Sequence, residues 1–341
     1  MPRRRTRLWP IAALAVLVAI GGVALLLRWN GNLDGAGRIA RVTIPKGATL
    51  ADAADSLQQA RVIRTATIFR LEARLRGRGD DSVQAGRYLV TRGTSTERLL
   101  DQLLRGSDRF RRLTIPEGWG IQQIARLMHD SLGIDTTALR AVTRDSLRRV
   151  RMKTTASDLE GYLFPATYEF TDGTTAAGVV DTMLLTFERR WKNAWDTTLA
   201  RQGRRRHDVV TLASIVEKEA GRDEDRPMIA SVYMNRLRKG MRLQADPTVL
   251  YAMKLVAKRV LYADLRTESL YNTYRVAGLP PGPIASPGTA SLAAVIEPPT
   301  NDALFFVAFP DGHSQFTKSF AEHAVAVKAA RAARDATGPM R

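Results

Sequence analysis

From Leu8 to Leu27 the chain runs for twenty residues without a charge, and no second continuously apolar run of that length occurs downstream. A helix of that length is about 30 Å long, one hydrocarbon core. Arg3, Arg4, Arg5 and Arg7 precede it, and Trp9 and Trp29 bracket it where interfacial aromatics sit. Leu25-Leu26-Leu27-Arg28-Trp29 is too bulky for the small-x-small site of a cleaved signal peptide. The pattern therefore predicts a cytoplasmic tail at 1–7, an uncleaved transmembrane helix at 8–27 and a Gly/Asn-rich linker at 28–40. All that follows would lie on one side of an inner (plasma) membrane, in the extracytoplasmic, periplasmic space.

A repeat comes next. Val42-Thr-Ile-Pro-Lys-Gly47 is echoed by Leu113-Thr-Ile-Pro-Glu-Gly118. Each reads as a short strand closed by a Pro-x-Gly turn. Each leads into an amphipathic helix, marked by Leu50, Ala53, Ala54 and Leu57 in the first case and Ile121, Ile124, Ala125 and Met128 in the second. Between them, Ile68–Leu75 and Leu99–Leu104 predict helices and Ala85–Val90 a strand. The polar stretch 107–112 marks a boundary. The expected organisation is a small α+β module at 41–110 and a larger α+β domain at 111–341.

Within the larger domain, Asp158–Tyr168 is aromatic and turn-rich. Helical spacing marks 179–195, 209–220 and 229–238, with a basic loop at 203–207. Leu279-Pro-Pro-Gly-Pro-Ile-Ala-Ser-Pro-Gly288 cannot be regular structure and predicts a rigid loop. Leu304–Phe309 reads as a strand and 320–334 as a closing helix.

Composition narrows the chemistry. The chain has no cysteine, which excludes a disulfide scaffold, a thiol nucleophile and Cys-ligated metals. A net charge of +18 points to a polyanionic partner. The basic residues are spread along the chain with no aromatic interleaving, and an extracytoplasmic domain meets little nucleic acid. An anionic wall polymer or lipid surface is the better expectation. No Gly-rich phosphate loop, His-Glu-x-x-His or Gly-x-Ser-x-Gly is present. His129, His207, His313 and His323 lack metal-ligand spacing and read as structural or rim groups, so neither metal nor cofactor is expected.

Carboxylates remain. In Thr211-Leu-Ala-Ser-Ile-Val-Glu-Lys-Glu-Ala220, Glu219 follows Ile215 by four residues and Val216 by three, which puts it on their apolar face. Glu217 falls to the side. Partial desolvation would raise the Glu219 pKa towards neutrality, as a general acid requires. Downstream, Gln244, Asp246 and Thr248 surround a Pro-fixed turn, and Tyr271-Asn272-Thr273-Tyr274 combines amide, hydroxyl and aromatic groups. Such neutral hydrogen-bonding groups beside aromatic planes suit a sugar chain.

Ala213-Ser-Ile-Val-Glu-Lys-Glu-Ala220, Ser231-Val-Tyr-Met-Asn-Arg-Leu237, Met241-Arg-Leu-Gln-Ala-Asp-Pro-Thr248, Tyr271-Asn-Thr-Tyr274 and Gly278-Leu-Pro-Pro-Gly-Pro-Ile284 follow one another in order. Together they resemble the MltG (YceG-like) family of endolytic murein transglycosylases, over nearly the whole chain. Ala245 and Ser286 are small departures from the family pattern. The resemblance implies that 41–110 is a LysM-like module. It implies that the substrate is nascent peptidoglycan and that Glu219, the second Glu of the Glu-x-Glu pair, is the catalytic group. On that reading Gln244, Asp246, Thr248, Asn272, Tyr274, Glu217, Asn235, Glu160 and Tyr162 are candidates for holding the glycan, and peptidoglycan synthases are candidate partners. Two other readings share the same residues: a water-using muramidase, and a non-catalytic wall-binding scaffold for synthases.

Overall fold

A computed structural model describes residues 38–79, 81–106, 110–171, 173–255 and 260–337. The predicted transmembrane run 8–27 lies outside them. Among the described residues no helix is long and apolar enough to cross a membrane. The chain divides into two compact units that meet at Phe110–Arg111, each α+β in character.

In the first unit β1 (Ile39–Ile44) pairs antiparallel with β2 (Gly86–Thr91), Val42 lying opposite Tyr88. Alternation along β1 turns Ala40, Val42 and Ile44 inward. The strand stops at Pro45, which lacks a ladder donor, and Gly47 turns the chain at φ +76°. Helix α1 (Leu50–Gln59) then opens on a capping box between Thr49 and Asp52. With α2 (Ala66–Leu75) and α3 (Thr96–Arg105) it covers the sheet. The core holds Leu57, Phe69, Tyr88, Val90, Leu99, Leu100 and Leu103, all nearly inaccessible. Each such side chain contributes about 1.5–3 kcal/mol by leaving water.

The second unit repeats the opening. Strand β3 (Phe110–Thr114) ends before Pro116, Gly118 turns at φ +75°, and α4 (Ile121–Leu132) buries the four expected residues Ile121, Ile124, Ala125 and Met128. The partner strand differs. It is β4 (Thr167–Thr171), which begins at the very end of the turn-rich stretch 158–168 and is not among the expected strands. Two short helices without a strong apolar period follow α4: α5 (Thr136–Thr143) and α6 (Ser146–Arg151).

The single helix expected over 179–195 is two: α7 (Ala176–Arg190) and α8 (Asn193–Gln202). Trp191 and Lys192 are extended at the break. Aromatic packing fixes the bend. The Trp191 ring stacks on Phe187 at 5.8 Å and meets Trp195 edge-on at 5.3 Å, while its indole N–H donates to Asp196 at 3.1 Å. Hydrophobic spacing continues across the break because both helices face the same core.

Helix α9 (Arg206–Glu219) takes in the end of the basic loop and runs through the centre of the unit. It packs on α10 (Arg226–Arg238), on the short α11 (Asp246–Ala252) and on α12 (Thr289–Ile296). The hairpin β5 (Phe305–Ala308) and β6 (Ser314–Thr317) and the closing helix α13 (Phe320–Thr337) complete it.

Candidate active site

Every residue from Val209 to Val216 is buried, so α9 has no single apolar stripe. Glu219 is desolvated for another reason: it terminates a helix enclosed on all sides and meets α10 as it emerges. The residue as a whole is half-buried, but its carboxyl is shielded from solvent, and burial raises its pKa from 4.5 to about 7. The Tyr233 hydroxyl donates to Glu219 Oε1 at 3.0 Å and pulls the value down. The charge of Asp246 pushes it up, and Arg236 opposes that.

Tyr233 and Arg236 are i, i+3 neighbours on α10 and therefore share a face. Tyr233 is fully buried, its ring edge-on to Phe306 at 5.8 Å. Arg236 donates to the carbonyls of Leu243 at 2.6 Å and Leu304 at 2.7 Å and lies over the Phe305 ring. The cation is thereby fixed to backbone rather than spent on the Glu219 carboxylate.

Two loops stapled together also come close to Glu219. Asp246 opens α11, with Pro247 in its first turn, where the missing N–H costs nothing. Tyr274 donates to Asp246 Oδ1 at 2.6 Å. Gln244 is exposed and held at φ +53°, a left-handed conformation it shares with Arg61, Lys153 and Lys254. The hydroxyls of Thr248 and Thr273 meet at 2.9 Å, and Thr273 accepts from the Ala245 amide at 3.0 Å. Asn272 donates to Leu265 O at 3.0 Å and Thr267 O at 2.7 Å, and accepts from the Tyr274 amide at 3.0 Å. Thr248 and Asn272 are thus buried staples that set the positions of Gln244, Asp246 and Tyr274.

The other expected glycan ligands lie elsewhere. Glu217 has a side chain only 4% exposed, paired with Arg226 at 3.0 Å, and it accepts from Gly288 N at 2.9 Å and Ser291 Oγ at 2.7 Å. Asn235 donates to Asn301 O at 2.9 Å and Ala303 O at 2.8 Å. Glu160 caps the start of α4, accepting from Ile121 N at 3.0 Å. Burial, helped by Asp158, lifts its pKa to about 8 against the pull of those backbone N–H groups. Tyr162 is buried in the core, 5.1 Å from Phe187. None of these four faces an open surface in the way a sugar would need.

Tyr233 and Arg236 are absent from the set expected of the sequence, although both fall within its Ser231–Leu237 motif. The buried residues of α10 encircle the helix, so no amphipathic face says which side chains turn towards α9. Beyond Glu219 the chain is held by the hairpin tip: a Cβ on Gly221 would lie 3.2 Å from Gly312 O, and Arg222 donates to Asp311 O.

One carboxylic acid poised near neutrality, oriented by a phenol and loaded by a like charge, can donate a proton and take one back. Comparison with known proteins agrees with the ordered motifs. The model of the YceG-like family matches residues 42–329. A Bacillus subtilis protein named endolytic murein transglycosylase is 34% identical over 297 residues, covering 83% of this chain and 82% of its own. A Streptococcus pneumoniae protein of the same name is 31% identical over 78% of this chain, and the chain spans 54% of its length. The crystal structure of a yceG-like protein from Listeria monocytogenes superposes with a TM-score of 0.59 at 32% identity, covering 85% of this chain and all of that one. The chain belongs to the YceG-like family.

Proposed function

We propose that this protein is an endolytic murein transglycosylase that cuts the N-acetylmuramic acid–N-acetylglucosamine β-1,4 bond within nascent glycan strands, with Glu219 as the only catalytic residue. The observation that carries the reading is the Glu219 carboxyl, desolvated, oriented by Tyr233 and half-protonated near neutral pH. The names of the relatives support the activity.

The reaction needs one group in two states. Protonated Glu219 gives its proton to the glycosidic oxygen, the C1–O bond breaks, and the glucosamine side leaves as a free 4-hydroxyl. Positive charge developing at C1 is met by the carbonyl oxygen of the substrate's own N-acetyl group. Ionised Glu219 then removes the C6 hydroxyl proton while O6 bonds to C1. A 1,6-anhydro end forms and Glu219 is protonated again. Neither water nor a second carboxylate enters, in contrast to hydrolytic glycosidases. Gln244, Asp246 and Tyr274, on the loops that come close to Glu219, are the groups that would hold N-acetyl and hydroxyl groups in place.

The first unit, with its two-stranded antiparallel sheet and covering helices, is read as a LysM-like glycan-binding module. The uncharged run 8–27 supports a single membrane anchor with the cytoplasmic tail before it and both units outside, where glycan strands and their synthases are found. Mass spectrometry of products from purified sacculi tests the chemistry. Wild type should release anhydro-muropeptides and Glu219→Gln, equally folded, none. Reducing ends instead of anhydro ends would select a muramidase, and full activity in Glu219→Gln would sink the assignment.

A further inference from the structure

Leu147 and Val150 are 78% and 75% exposed, among the most exposed aliphatic side chains of the second unit. They are i, i+3 neighbours on α6, so they project from one side of a single turn. The helix cannot turn to hide them. Arg148 grips Asp181 with two bonds, 2.7 and 2.9 Å, and Arg151 donates to Glu188 at 2.9 Å, both carboxylates standing on α7. Asp181, Leu185 and Glu188 share one face of α7, which sets the 41%-exposed Leu185 between the two ion pairs. Helix α5 also packs against α7.

Around these aliphatic groups basic residues outnumber acidic ones. Between Asp135 and Lys153, six basic residues face two acidic ones. Arg148 and Arg151 are neutralised by α7. Arg140 and Arg144 are exposed on α5 and at its end, Arg189 is exposed at the end of α7, and Arg149 donates to the carbonyls of Arg144 and Ala156. Exposed aliphatic side chains on a segment rich in exposed guanidinium groups suit an interfacial surface, the former entering the headgroup–acyl boundary while the latter meet phosphates. Three aliphatic side chains cover far less than the roughly 800 Å² per partner of a standard protein interface. At an anionic bilayer each arginine near the surface adds about fivefold to occupancy, the equivalent of about 1 kcal/mol.

We infer that the α5–α6–α7 face of the second unit is a docking surface for anionic phospholipid, separate from Glu219 and from the anchor expected at 8–27. It holds whether or not the reaction assigned to Glu219 is correct. The native chain has no cysteine, so one can be placed at will. The full chain is reconstituted with an environment-sensitive fluorophore on Val150→Cys, and separately on Val325→Cys, an equally exposed position on α13. It is studied in phosphatidylcholine vesicles and in vesicles containing phosphatidylglycerol. The proposal expects a blue shift and a several-fold loss of iodide quenching at Val150→Cys only, in the anionic vesicles only. Adding Arg140→Glu, Arg144→Glu and Arg189→Glu should abolish both changes. An unchanged signal, an equal change in neutral vesicles, an equal change at Val325→Cys, or persistence after charge reversal would each overturn it. Protection already present in detergent that grows with protein concentration would mark a second copy as the occupant, and would overturn it too.

Discussion

Tyr233→Phe removes one hydroxyl and little volume. That hydroxyl donates to Glu219 Oε1 at 3.0 Å and favours the ionised carboxylate, so its loss must raise the Glu219 pKa above its value of about 7. A hydrogen bond to a charged acceptor is worth about 1.5–3 kcal/mol. At about 1.4 kcal/mol per pH unit this shifts the pKa by about one to two units. The assay is the initial rate of anhydro-muropeptide release at low glycan concentration across pH 5–10, since kcat/KM reports the free enzyme's groups. For wild type, a single acid that regenerates itself gives one descending limb near neutral pH and no ascending limb from a second carboxylate. In Tyr233→Phe that limb should move to about pH 8 or above, while the plateau falls because a weaker, less oriented acid donates more slowly. Asp246→Asn removes the like charge and should move the limb the other way, towards acid. A limb that stays put in both variants, or a bell-shaped profile whose acidic arm disappears in Asp246→Asn, would refute the one-carboxylate mechanism.

Three further outcomes follow from the structure. Arg226→Met strands the buried Glu217 carboxylate and should cost about 3–5 kcal/mol in chemical denaturation, whereas Glu219→Gln should cost little or stabilise. Glu160 has a folded-state pKa of about 8, above its unfolded value of 4.5. Its favourable contribution is therefore complete below pH 4.5 and is lost as pH rises towards 8. Glu160→Gln should flatten thermal stability over that window and melt higher than wild type at pH 8.5, by an equivalent of at most about 5 kcal/mol; a steeper loss in the variant would contradict the burial argument. Gly161 stands at φ +81°, and a Cβ there would lie 2.4 Å from Pro283 Cβ. Gly161→Ala should lose more than about 2 kcal/mol and loosen the Pro-rich loop, read as a lower Tm and faster proteolysis at 279–288.

Local chemistry was the legible part of the fold. The Pro-x-Gly turns, the helices after them and the helix that ends at Glu219 all follow from punctuation and spacing within a dozen residues. What escaped depends on which side chains meet, near or far along the chain. Strand β4 is a strand because β3, more than fifty residues earlier, needs a ladder. The break at Trp191 exists because two tryptophans and a phenylalanine find one another. At the site, Glu219, Asp246 and Tyr274 were visible as isolated residues, but the hydrogen bond between the last two spans 28 positions. Thr248 and Asn272 were visible for the wrong reason. Polar residues in turn-rich motifs bind backbone as readily as sugar, and here their bonds go inward.

The Glu-x-Glu pair shows why a stripe argument can find the right residue through the wrong cause. On a helix enclosed on all sides, burial does not separate Glu217 from Glu219; both carboxyls leave bulk water. The separation lies in what each meets. Glu217 meets a guanidinium, a backbone N–H and a hydroxyl, which take up both of its carboxylate oxygens. Glu219 meets one phenol, with the negative charge of Asp246 close by and Arg236 already bound to carbonyls. Arg226 has a second consequence. By cancelling Glu217 it keeps that charge from reaching across the helix, so the electrostatics of Glu219 are set by α10 and the 241–248 segment. Those are the elements that form the walls of the candidate glycan site, and a sugar bound between them would displace water and act on the same balance. The acid strength of Glu219 is therefore set by the side chains it meets rather than by the helix that carries it.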